Sequence, residues 1–363
     1  MKMLTHLLTV FLVLVNILSQ ANAWGGRGHA AICEAAVFLV KEPGLKEYLK
    51  NKPQMMGHLC NMPDFFWRSF GADATKLGNP THFIDVEVTG LKVPEVPLDF
   101  KQIVDTYTGK PNHFKAGATL HNVPSEFGSV WWRADQFYRR FLSFTKELAT
   151  LEAPKTSKEA TDDQLPYNKT VYEMSVSLGL MGHFVGDASQ PLHNTADYDG
   201  YAAGHGGLHA YYEDQVVSEF DGDLSSRVLK EARNMKNPLF LKPKTAIEKM
   251  KALSESSMDE LKLIFKADPV KKPSTVVSER GMEIKKAAER ESAEIGYKKF
   301  NKIIVTELAR SSLLLAKLWD DAYVEAGKPM LASSKIYKYP LTVDFIAPDY
   351  FSKEEAPKTE DKK

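Results

Sequence analysis

One segment near the middle of the chain limits the possible folds more than any other: residues 170–194, TVYEMSVSLGLMGHFVGDASQPLHN. Its apolar residues recur at spacings of three and four, a pattern that predicts a helix ending before Pro191. His183 and Asp187 lie four residues apart, so both project from one face of this helix, which is otherwise apolar. A buried imidazole and a buried carboxylate each need a partner to offset their desolvation. The segment therefore predicts a buried helix whose polar side chains meet partners from elsewhere in the chain.

Helical periodicity also dominates the rest of the chain, in residues 30–40, 130–151 and 281–325. Strand signals are few and short, such as THFIDVEV at residues 81–88. Residues 151–167 are polar with two prolines and predict a loop, and residues 265–280, with three lysines and two prolines, predict a linker. We expect a mainly α protein with few short strands.

The first 23 residues have the form of a secretory signal. Lys2 provides a basic start, an apolar run covers about residues 7–18, and the small residues of Ala-Asn-Ala end at Ala23, where a signal peptidase would cut. We expect the protein to be exported, to the periplasm or the extracellular space, with Trp24 as the first residue of the mature chain. The alternative is an uncleaved amphipathic anchor. No later segment has the unbroken apolar length of a membrane-spanning helix.

Charge and cysteine content argue against two classes of protein, dedicated nucleic-acid binders and disulfide scaffolds. The 47 basic and 47 acidic side chains balance, so the chain lacks the basic surplus of a dedicated nucleic-acid binder, although an enzyme could still meet phosphates through metal ions. Cys33 and Cys60 are the only cysteines, which excludes a disulfide scaffold and leaves open one disulfide bond or two buried thiols. Residues 331–363 predict a C-terminal extension whose polar end, SKEEAPKTEDKK, we expect to be disordered.

Two clusters of histidines and carboxylates follow each other closely. His193 comes shortly after the turn at Pro191, so two histidines and an aspartate fall within eleven residues, a spacing suited to zinc. His209 and Glu213 repeat the i, i+4 spacing on the next predicted helix, after the glycines of GHGG. The alternatives are hydrogen-bonded core histidines and surface ion pairs. Several His–carboxylate pairs in so short a stretch favour a metal site.

The predicted mature N-terminus, WGGRGHAAICEAA, places His29 five residues after Trp24. An α-amino group has an ordinary pKa of about 7.7, so once freed by cleavage it can lose its proton and donate its nitrogen to a metal ion. The carbonyl oxygen of the same residue would complete a chelate. The alternative interpretation is an ordinary polar N-terminus.

Taken in order, WGGRGH, HFVGDASQPLH and LHAYYE resemble the zinc-dependent nuclease and phospholipase C superfamily. Its members are the single-strand-specific nucleases of fungi and plants and the bacterial zinc phospholipases C. The similarity runs from Trp24 to about Val217, and the C-terminal part matches only loosely, as a helical segment. The resemblance implies one mainly α, multi-helix domain over residues 24–330, with a cleft that holds three zinc ions.

The resemblance also implies a set of ligands for each ion. The first zinc would be held by Asp64, His82, His183 and Asp187, the second by His193, His209 and Glu213, and the third by the amino nitrogen and carbonyl oxygen of Trp24, by His29 and by a bridging Asp187. All of these positions hold chemically suitable residues. The flanks of Asp64 and His82 are the least distinctive. His58, close to Asp64, and His205, close to His209, are the local substitutes.

A site of this kind suits hydrolysis of a phosphate ester by a metal-activated water. Asp187 would bridge two ions, and Asp64 would orient or deprotonate the water. Arg68, one helical turn after Asp64, would reach a phosphate oxygen; the alternative is a surface arginine. The resemblance to the nuclease branch implies an endonuclease and 3′-nucleotidase acting on single-stranded DNA or RNA, with 5′-phosphorylated products and no stable protein partner.

The substrate class stays open between two branches of the superfamily. WGGRGH resembles the nucleases, which we favour, whereas Glu213 and the short gap from His193 to His209 resemble the phospholipases C, which act on phospholipid. A third alternative is an exported zinc-binding protein without activity. Recognition of single-stranded nucleic acid needs aromatic faces beside the site, and the candidates are Phe65, Phe66, Trp67, Phe83, Tyr198, Tyr201 and Tyr211.

Overall fold

The computed structural model describes residues 24–279, 282–331, 334–336 and 338–351. The predicted signal, residues 1–23, and the tail expected to be disordered, residues 352–363, lie outside the described residues. Helices make up most of the part that is described, which confirms the mainly α class. None of these helices is both long enough and apolar enough to cross a membrane.

The helices follow one another with irregular connections between them. In chain order they are α1 (Gly25–Val37), α2 (Pro43–Leu49), α3 (Pro53–Cys60), α4 (Met62–Phe65), α5 (Ala72–Gly78), α6 (Phe100–Tyr107), α7 (Val123–Phe127), α8 (Val130–Leu148), α9 (Pro166–Ser189), α10 (Leu208–Ala210), α11 (Val216–Ser218), α12 (Leu224–Asn234), α13 (Ala246–Met258), α14 (Leu261–Ala267) and α15 (Ala293–Glu325). A π-helical turn, Tyr211–Gln215, joins α10 to α11. The 3₁₀ turns are Trp67–Ser69, Asn79–Thr81, Val86–Thr89, Val93–Glu95, Glu159–Thr161, Pro191–Asn194 and Leu239–Leu241.

Helix α9 lies at the centre of the molecule. Every residue from Met174 to Ser189 is buried, because the helix packs against α1, α3, α8, α13 and α15. A helix that is apolar on nearly all sides is stable only when other helices enclose it. The prediction of an interior helix that ends before Pro191 is confirmed, since α9 ends at Ser189.

The other predicted elements near this helix match the structure with shifted ends. The helix predicted over residues 30–40 is α1, which begins earlier, at Gly25, and ends at Val37. The helix predicted over residues 130–151 is α8, which ends at Leu148. Residues 151–165 form the predicted loop, with one 3₁₀ turn.

The helix predicted over residues 281–325 is wrong in its first part, because α15 begins only at Ala293. Four strands precede it: β1 (Val270–Lys272), β2 (Thr275–Glu279), β3 (Met282–Lys286) and β4 (Glu289–Arg290). β1 pairs with β4 and β2 pairs with β3, both antiparallel. The linker predicted over residues 265–280 therefore contains two strands and the end of α14. The β-branched run Thr275-Val276-Val277 favours a strand, β2. Because β3 pairs with β2, its residues form a strand although their sequence also fits a helical period.

The strand predicted from THFIDVEV is also wrong. Ile84 forms a single bridge with Gly128, and the chain then enters the 3₁₀ turn Val86–Thr89. The alternation of apolar residues nevertheless has its usual meaning, because Ile84, Val86 and Val88 are all buried. Alternation indicates which side chains face inward, but a strand also needs a neighbouring backbone to pair with.

The described part of the predicted C-terminal extension packs back onto the helices. Leu331 and Val343 are buried. Trp67 Nε1 donates a hydrogen bond to Val343 O at 2.9 Å, and Gln136 Nε2 donates to Ala347 O at 2.8 Å. Residues 331–351 therefore add to the hydrophobic core as far as the structure describes them.

The two cysteines form a disulfide bond between α1 and the end of α3, which settles the alternative left open by the sequence. Both sulfurs are buried beside α9, and the carbonyl oxygen of Cys60 lies 2.8 Å from His183 Nδ1. The bond therefore ties together two of the helices that enclose the polar face of α9.

Removal of this bond should destabilise the fold. The cysteines are 27 residues apart in sequence, and closing a loop of this size restricts the unfolded chain enough to stabilise the native state by about 3 kcal/mol. We expect Cys33→Ala/Cys60→Ala to lose about that much free energy of unfolding in urea denaturation. The wild type in reductant is the matched control and should lose a similar amount. Identical curves with and without reductant would show that the thiols are not bonded.

Candidate metal centre

The polar residues singled out in the sequence meet in the interior from separate elements of the fold. All of the side chains are buried. They are His29 on α1, Asp64 on α4, His82 after the turn Asn79–Thr81, His183 and Asp187 on α9, His193 in the turn Pro191–Asn194, His209 on α10 and Glu213 in the π-helical turn.

Asp187 lies at the centre of a first group. Its Oδ2 lies 2.9 Å from His82 Nδ1 and 3.3 Å from His183 Nε2, and its Oδ1 lies 3.4 Å from His29 Nε2. His82 Nδ1 and His183 Nε2 are also only 3.0 Å apart. His29 stacks on His183 with 4.1 Å between ring centroids. One buried carboxylate thus faces three imidazoles.

Asp64 completes the first group from the side of α4. Its Oδ1 lies 3.8 Å from His82 Nδ1 and 3.9 Å from His183 Nε2, and its Oδ2 lies 4.0 Å from His29 Nε2. These separations exceed a hydrogen bond, but they suit ligand atoms that share one ion, since zinc bonds to nitrogen and oxygen are about 2 Å long. Arg68 Nη2 lies 2.8 Å from Asp64 Oδ1. The predicted phosphate-contacting arginine is therefore paired with a predicted ligand.

His193, His209 and Glu213 form a second group. The two Nε2 atoms are 2.9 Å apart, and Glu213 Oε2 lies 2.9 Å from His209 Nε2 and 3.6 Å from His193 Nε2. The π-helical turn keeps His209 and Glu213 on one side of the chain, in the kind of backbone irregularity that is frequent at functional sites. His193 Nδ1 lies 3.7 Å from Asp187 Oδ1, so the two groups adjoin.

Backbone carbonyl groups orient two of the imidazoles. His183 Nδ1 lies 2.8 Å from Cys60 O, and His193 Nδ1 lies 2.7 Å from His82 O. Because a carbonyl oxygen only accepts, each Nδ1 carries a proton and donates it. In the neutral ring Nε2 then keeps its lone pair and directs it into its group. Metal-binding histidines have this same arrangement, with the second ring nitrogen bound to a carbonyl or carboxylate.

Several buried polar atoms of the two groups have no hydrogen-bond partner among the described residues. They are Nδ1 and Nε2 of His29, Oδ1 of Asp187, Nδ1 of His209 and Oε1 of Glu213. Each unsatisfied buried polar atom costs roughly 1–3 kcal/mol. A cluster of such atoms with lone pairs or negative charge fits a bound cation.

The residue before α1, Trp24, reaches the second group. Trp24 N donates to Glu213 Oε2 at 3.3 Å, and the indole Nε1 donates to Gly186 O at 2.8 Å. Trp24 and Gly25 both have positive φ, 47° and 52°, a conformation that glycine adopts without steric cost. Gly25 therefore lets the chain turn tightly after Trp24, whose nitrogen is buried beside a predicted ligand.

Burial and neighbouring charges set the protonation of these groups. Burial lowers the pKa of His29, and it lowers the pKa of His82 to about 4. Burial opposes ionisation of Glu213, but the facing imidazoles outweigh it and lower its pKa to about 2. The pKa of Asp187 is held well below its ordinary value in the same way. The pKa of His193 rises to about 9 beside Glu213 and Asp187 despite burial. The ionised carboxylates thus favour a positive charge, whether a proton or a metal ion.

One polar contact of the second group did not follow from the sequence analysis. Gln190 Nε2 donates to Glu213 Oε2 at 2.9 Å and is fully buried; a glutamine inside a buried run was the available signal. The two local substitutes lie elsewhere. His58 Nε2 contacts Leu341 O at 3.0 Å, and His205 Nδ1 lies 2.8 Å from Asp268 Oδ2.

The predicted stacking aromatics differ in exposure. Phe65 is 50% exposed and Tyr198 is 55% exposed, whereas Trp67 and Tyr211 are buried. Trp67 and Tyr211 are therefore wrong as stacking faces, because their rings pack in the core. The intermediate cases are Phe66, Phe83 and Tyr201.

Among the described residues, three buried sets have ligand atoms close enough to hold a metal ion: His29, Asp64 and His183; His82, His183 and Asp187; and His193, His209 and Glu213. Every predicted ligand except Trp24 belongs to one of these sets. Comparison with models of known protein families finds none that matches the chain, and no curated protein matches it.

Asp187→Asn should reduce the metal content of the protein more than any single histidine substitution in the two groups. Asparagine removes the charge that faces three imidazoles while keeping the size of the side chain. We expect a loss of roughly one divalent ion per chain or more, measured by elemental analysis after dialysis. Asp105→Asn, at an exposed position on α6, is the matched control. Unchanged metal content in Asp187→Asn would show that Asp187 is not a ligand.

Proposed function

We propose that the protein is an exported, zinc-dependent phosphodiesterase, an endonuclease and 3′-nucleotidase that cleaves single-stranded DNA or RNA and leaves 5′-phosphates. The observation that carries the proposal is the convergence of buried imidazoles and carboxylates around Asp187, with unpartnered ligand atoms among them. The order of the motifs WGGRGH, HFVGDASQPLH and LHAYYE supports the choice of reaction.

The side chains fit zinc better than a hard cation. Imidazole nitrogens outnumber carboxylates in the three sets, and imidazole suits zinc, whereas calcium and magnesium prefer oxygen ligands. When bound, zinc supplies a water of lowered pKa and positive charge that offsets the charge on phosphate oxygens. The ligands that we assign to three ions are Asp64, His82, His183 and Asp187; His193, His209 and Glu213; and Trp24 with His29 and Asp187.

The chain's own residues supply orientation and charge. Asp187 holds its imidazoles in fixed positions, and Gln190 holds the Glu213 carboxylate. Asp64 lies at the edge of the first group, where its carboxylate can accept a proton from water. The Arg68 guanidinium beside Asp64 can bind a phosphate oxygen, and its charge offsets that of the anionic substrate.

Two exposed rings suit a single-stranded substrate. Phe65 follows Asp64 directly, and Tyr198 lies edge-on to His209 with 5.6 Å between ring centroids. Exposed aromatic faces stack on unpaired bases, whereas the bases of a duplex are already stacked and paired. Phe65 adjoins Asp64 of the first group and Tyr198 adjoins His209 of the second, so the two rings offer stacking partners on the two sides of the candidate site.

A phospholipase C is the second candidate, favoured by Glu213 and by the short gap from His193 to His209. Exposed rings also suit the apolar part of a lipid. An exported zinc-binding protein without activity is the third candidate, and the full set of ligand residues argues against it.

One assay separates the three candidates. The mature protein with zinc is offered single-stranded DNA, RNA, duplex DNA and phosphatidylcholine, with His183→Ala as the inactive control. We expect mononucleotides with 5′-phosphates from the single strands, slower cleavage of the duplex, and no diacylglycerol. Release of diacylglycerol without nucleotides would establish a phospholipase C. Silence with every substrate would indicate the inactive binding protein.

Extension of the mature N-terminus should lower the activity. Trp24 is fully buried and its nitrogen lies beside Glu213, so one glycine before Trp24 replaces the amine with an amide, which is a poor ligand. We expect a decrease of about tenfold or more in kcat/KM, the scale on which altered metal sites lose activity. One glycine added after Lys363 is the control. Full activity of the N-terminally extended protein would exclude the α-amino group as a ligand.

A further inference from the structure

The strands β1 to β4 form an arm, described over residues 270–279 and 282–290, that the proposed reaction leaves unexplained. Its outer part, β2 with β3, is solvent-exposed on both faces wherever side chains are described. Val276, Val277 and Ile284 are each nearly half exposed. A two-stranded hairpin is at best marginally stable on its own in water, so its base must be held firmly by the rest of the protein.

A buried ion pair holds that base. Arg290 donates to both oxygens of Asp268, at 2.9 Å from Nε and 3.0 Å from Nη2. His205 Nδ1 lies 2.8 Å from Asp268 Oδ2. Arg290 Nη1 donates to Gly206 O at 3.0 Å. A two-point guanidinium–carboxylate pair fixes direction as well as distance, so the arm has a set orientation relative to the loop that carries His205.

This loop, residues 195–207, connects the turn that carries His193 to α10, which carries His209. Three further hydrogen bonds attach the arm to it: Ser274 N to Gly204 O at 3.0 Å, Ala288 N to Gly206 O at 2.9 Å, and Gly206 N to Ser274 Oγ at 2.9 Å. Ala287 lies against Gly207, two residues before His209. The base of the arm therefore adjoins the second metal group.

Lys285 differs from the other lysines of the arm. Lys271, Lys272 and Lys286 each lie within 4.0 Å of a glutamate carboxylate. Within the described residues Lys285 has no carboxylate at that distance; its Nζ lies 5.1 Å from the ring centroid of Tyr201. A cation and an aromatic ring thus lie together on the side of the arm that faces the loop.

We propose that the arm binds the part of a single-stranded nucleic acid that extends beyond the scissile phosphate, with Lys285 on a backbone phosphate and the rings of Tyr201 and Tyr198 on the bases between Lys285 and His209. This inference rests on the proposed function. A cation beside aromatic rings is the arrangement with which proteins bind single strands. Tyr198 already contacts His209 edge-on, so the rings continue from the arm to the second group.

The distribution of charge on the arm favours this partner over a lipid surface. Glu279 pairs with Met282 and Glu283 pairs with Ser278 at the outer end of the hairpin, while Lys285 and Lys286 pair with Val276 and Thr275 towards its base. Insertion of the outer end into a membrane would require these carboxylates to leave water, which is costly. A nucleic-acid backbone would instead meet positive charge at the base, beside the proposed reaction site.

The test is whether the arm makes cleavage depend on substrate length. kcat/KM is measured for a 20-nucleotide oligothymidylate and for a dinucleotide, with the zinc-loaded mature protein, at several salt concentrations. The variants are Lys285→Gln and an arm in which two glycines replace residues 275–286. Lys46→Gln, on α2, is the control. The backbone N–H groups of Lys41 and Glu42, just before α2, donate to Asp320 near the C-terminal end of α15. The arm lies before the N-terminal end of α15, so α2 is held at the opposite end of this helix.

We expect Lys285→Gln to lower the ratio of the two kcat/KM values about fivefold and to reduce the salt slope by about 0.7, the loss of one phosphate contact. The shortened arm should lower the ratio further, and circular dichroism should show its helices intact. Unchanged ratios and slopes in both variants would overturn the proposal. The proposal would also be overturned if the shortened arm lost binding to phosphatidylcholine–phosphatidylglycerol vesicles while its ratio of kcat/KM values stayed unchanged. The arm would then bind lipid.

If the wild-type protein cleaves neither substrate, the proposed function is refuted. Fluorescence anisotropy with the labelled 20-mer then tests whether the arm binds a single strand. Binding that is weaker in Lys285→Gln than in Lys46→Gln supports it. No binding by the wild type, or equal binding by the two variants, overturns it.

Discussion

The burial of the Asp187 carboxylate among three imidazoles is the interaction on which the rest of the structure depends. An ionised carboxylate inside an apolar helix is strongly destabilising unless partners compensate its lost hydration. His183 comes from the same helix, but His29 and His82 come from segments far away in sequence. α1 and the turn after α5 must therefore lie against α9 before the charge is compensated. The helices that enclose α9 position the candidate ligands for the same reason that they stabilise the fold.

A further set of contacts fixes the orientation of those ligands. The carbonyl oxygens of Cys60 and His82 hold His183 and His193, and Gln190 holds Glu213. The disulfide bond anchors the first of these carbonyls. Side chains held in this way need little rearrangement when a cation binds, so less conformational entropy is lost. These contacts keep the candidate ligand atoms at defined positions, although some of those atoms have no hydrogen-bond partner among the described residues.

The sequence predicts the part of the site that depends on local spacing. His183 and Asp187, and His209 and Glu213, are pairs at helical spacing, and the structure places each pair together. Asp64 and His82 have no such local pattern and were found only through the resemblance. The arm was missed because strand pairing depends on a partner segment, whereas its residues also fit a helical period. The burial of Trp67 likewise depends on residues far away in the chain, so exposure could not be predicted for single aromatic residues.

The buried side chain of Arg133 links the candidate metal centre to the C-terminal segment. Arg133 on α8 has no carboxylate within salt-bridge distance among the described residues, and burial lowers its pKa to about 10. Its guanidinium donates to Ile346 O and lies 5.3 Å from the ring centroid of Trp67. Trp67 in turn donates to Val343 O and lies between Asp64 and Arg68 in the chain. Through Arg133 and Trp67, the C-terminal segment therefore holds the 3₁₀ turn that carries Arg68 and that follows the Asp64 helix, α4. A stretch that has the composition of an extension is, in the folded protein, part of what orients the candidate metal centre.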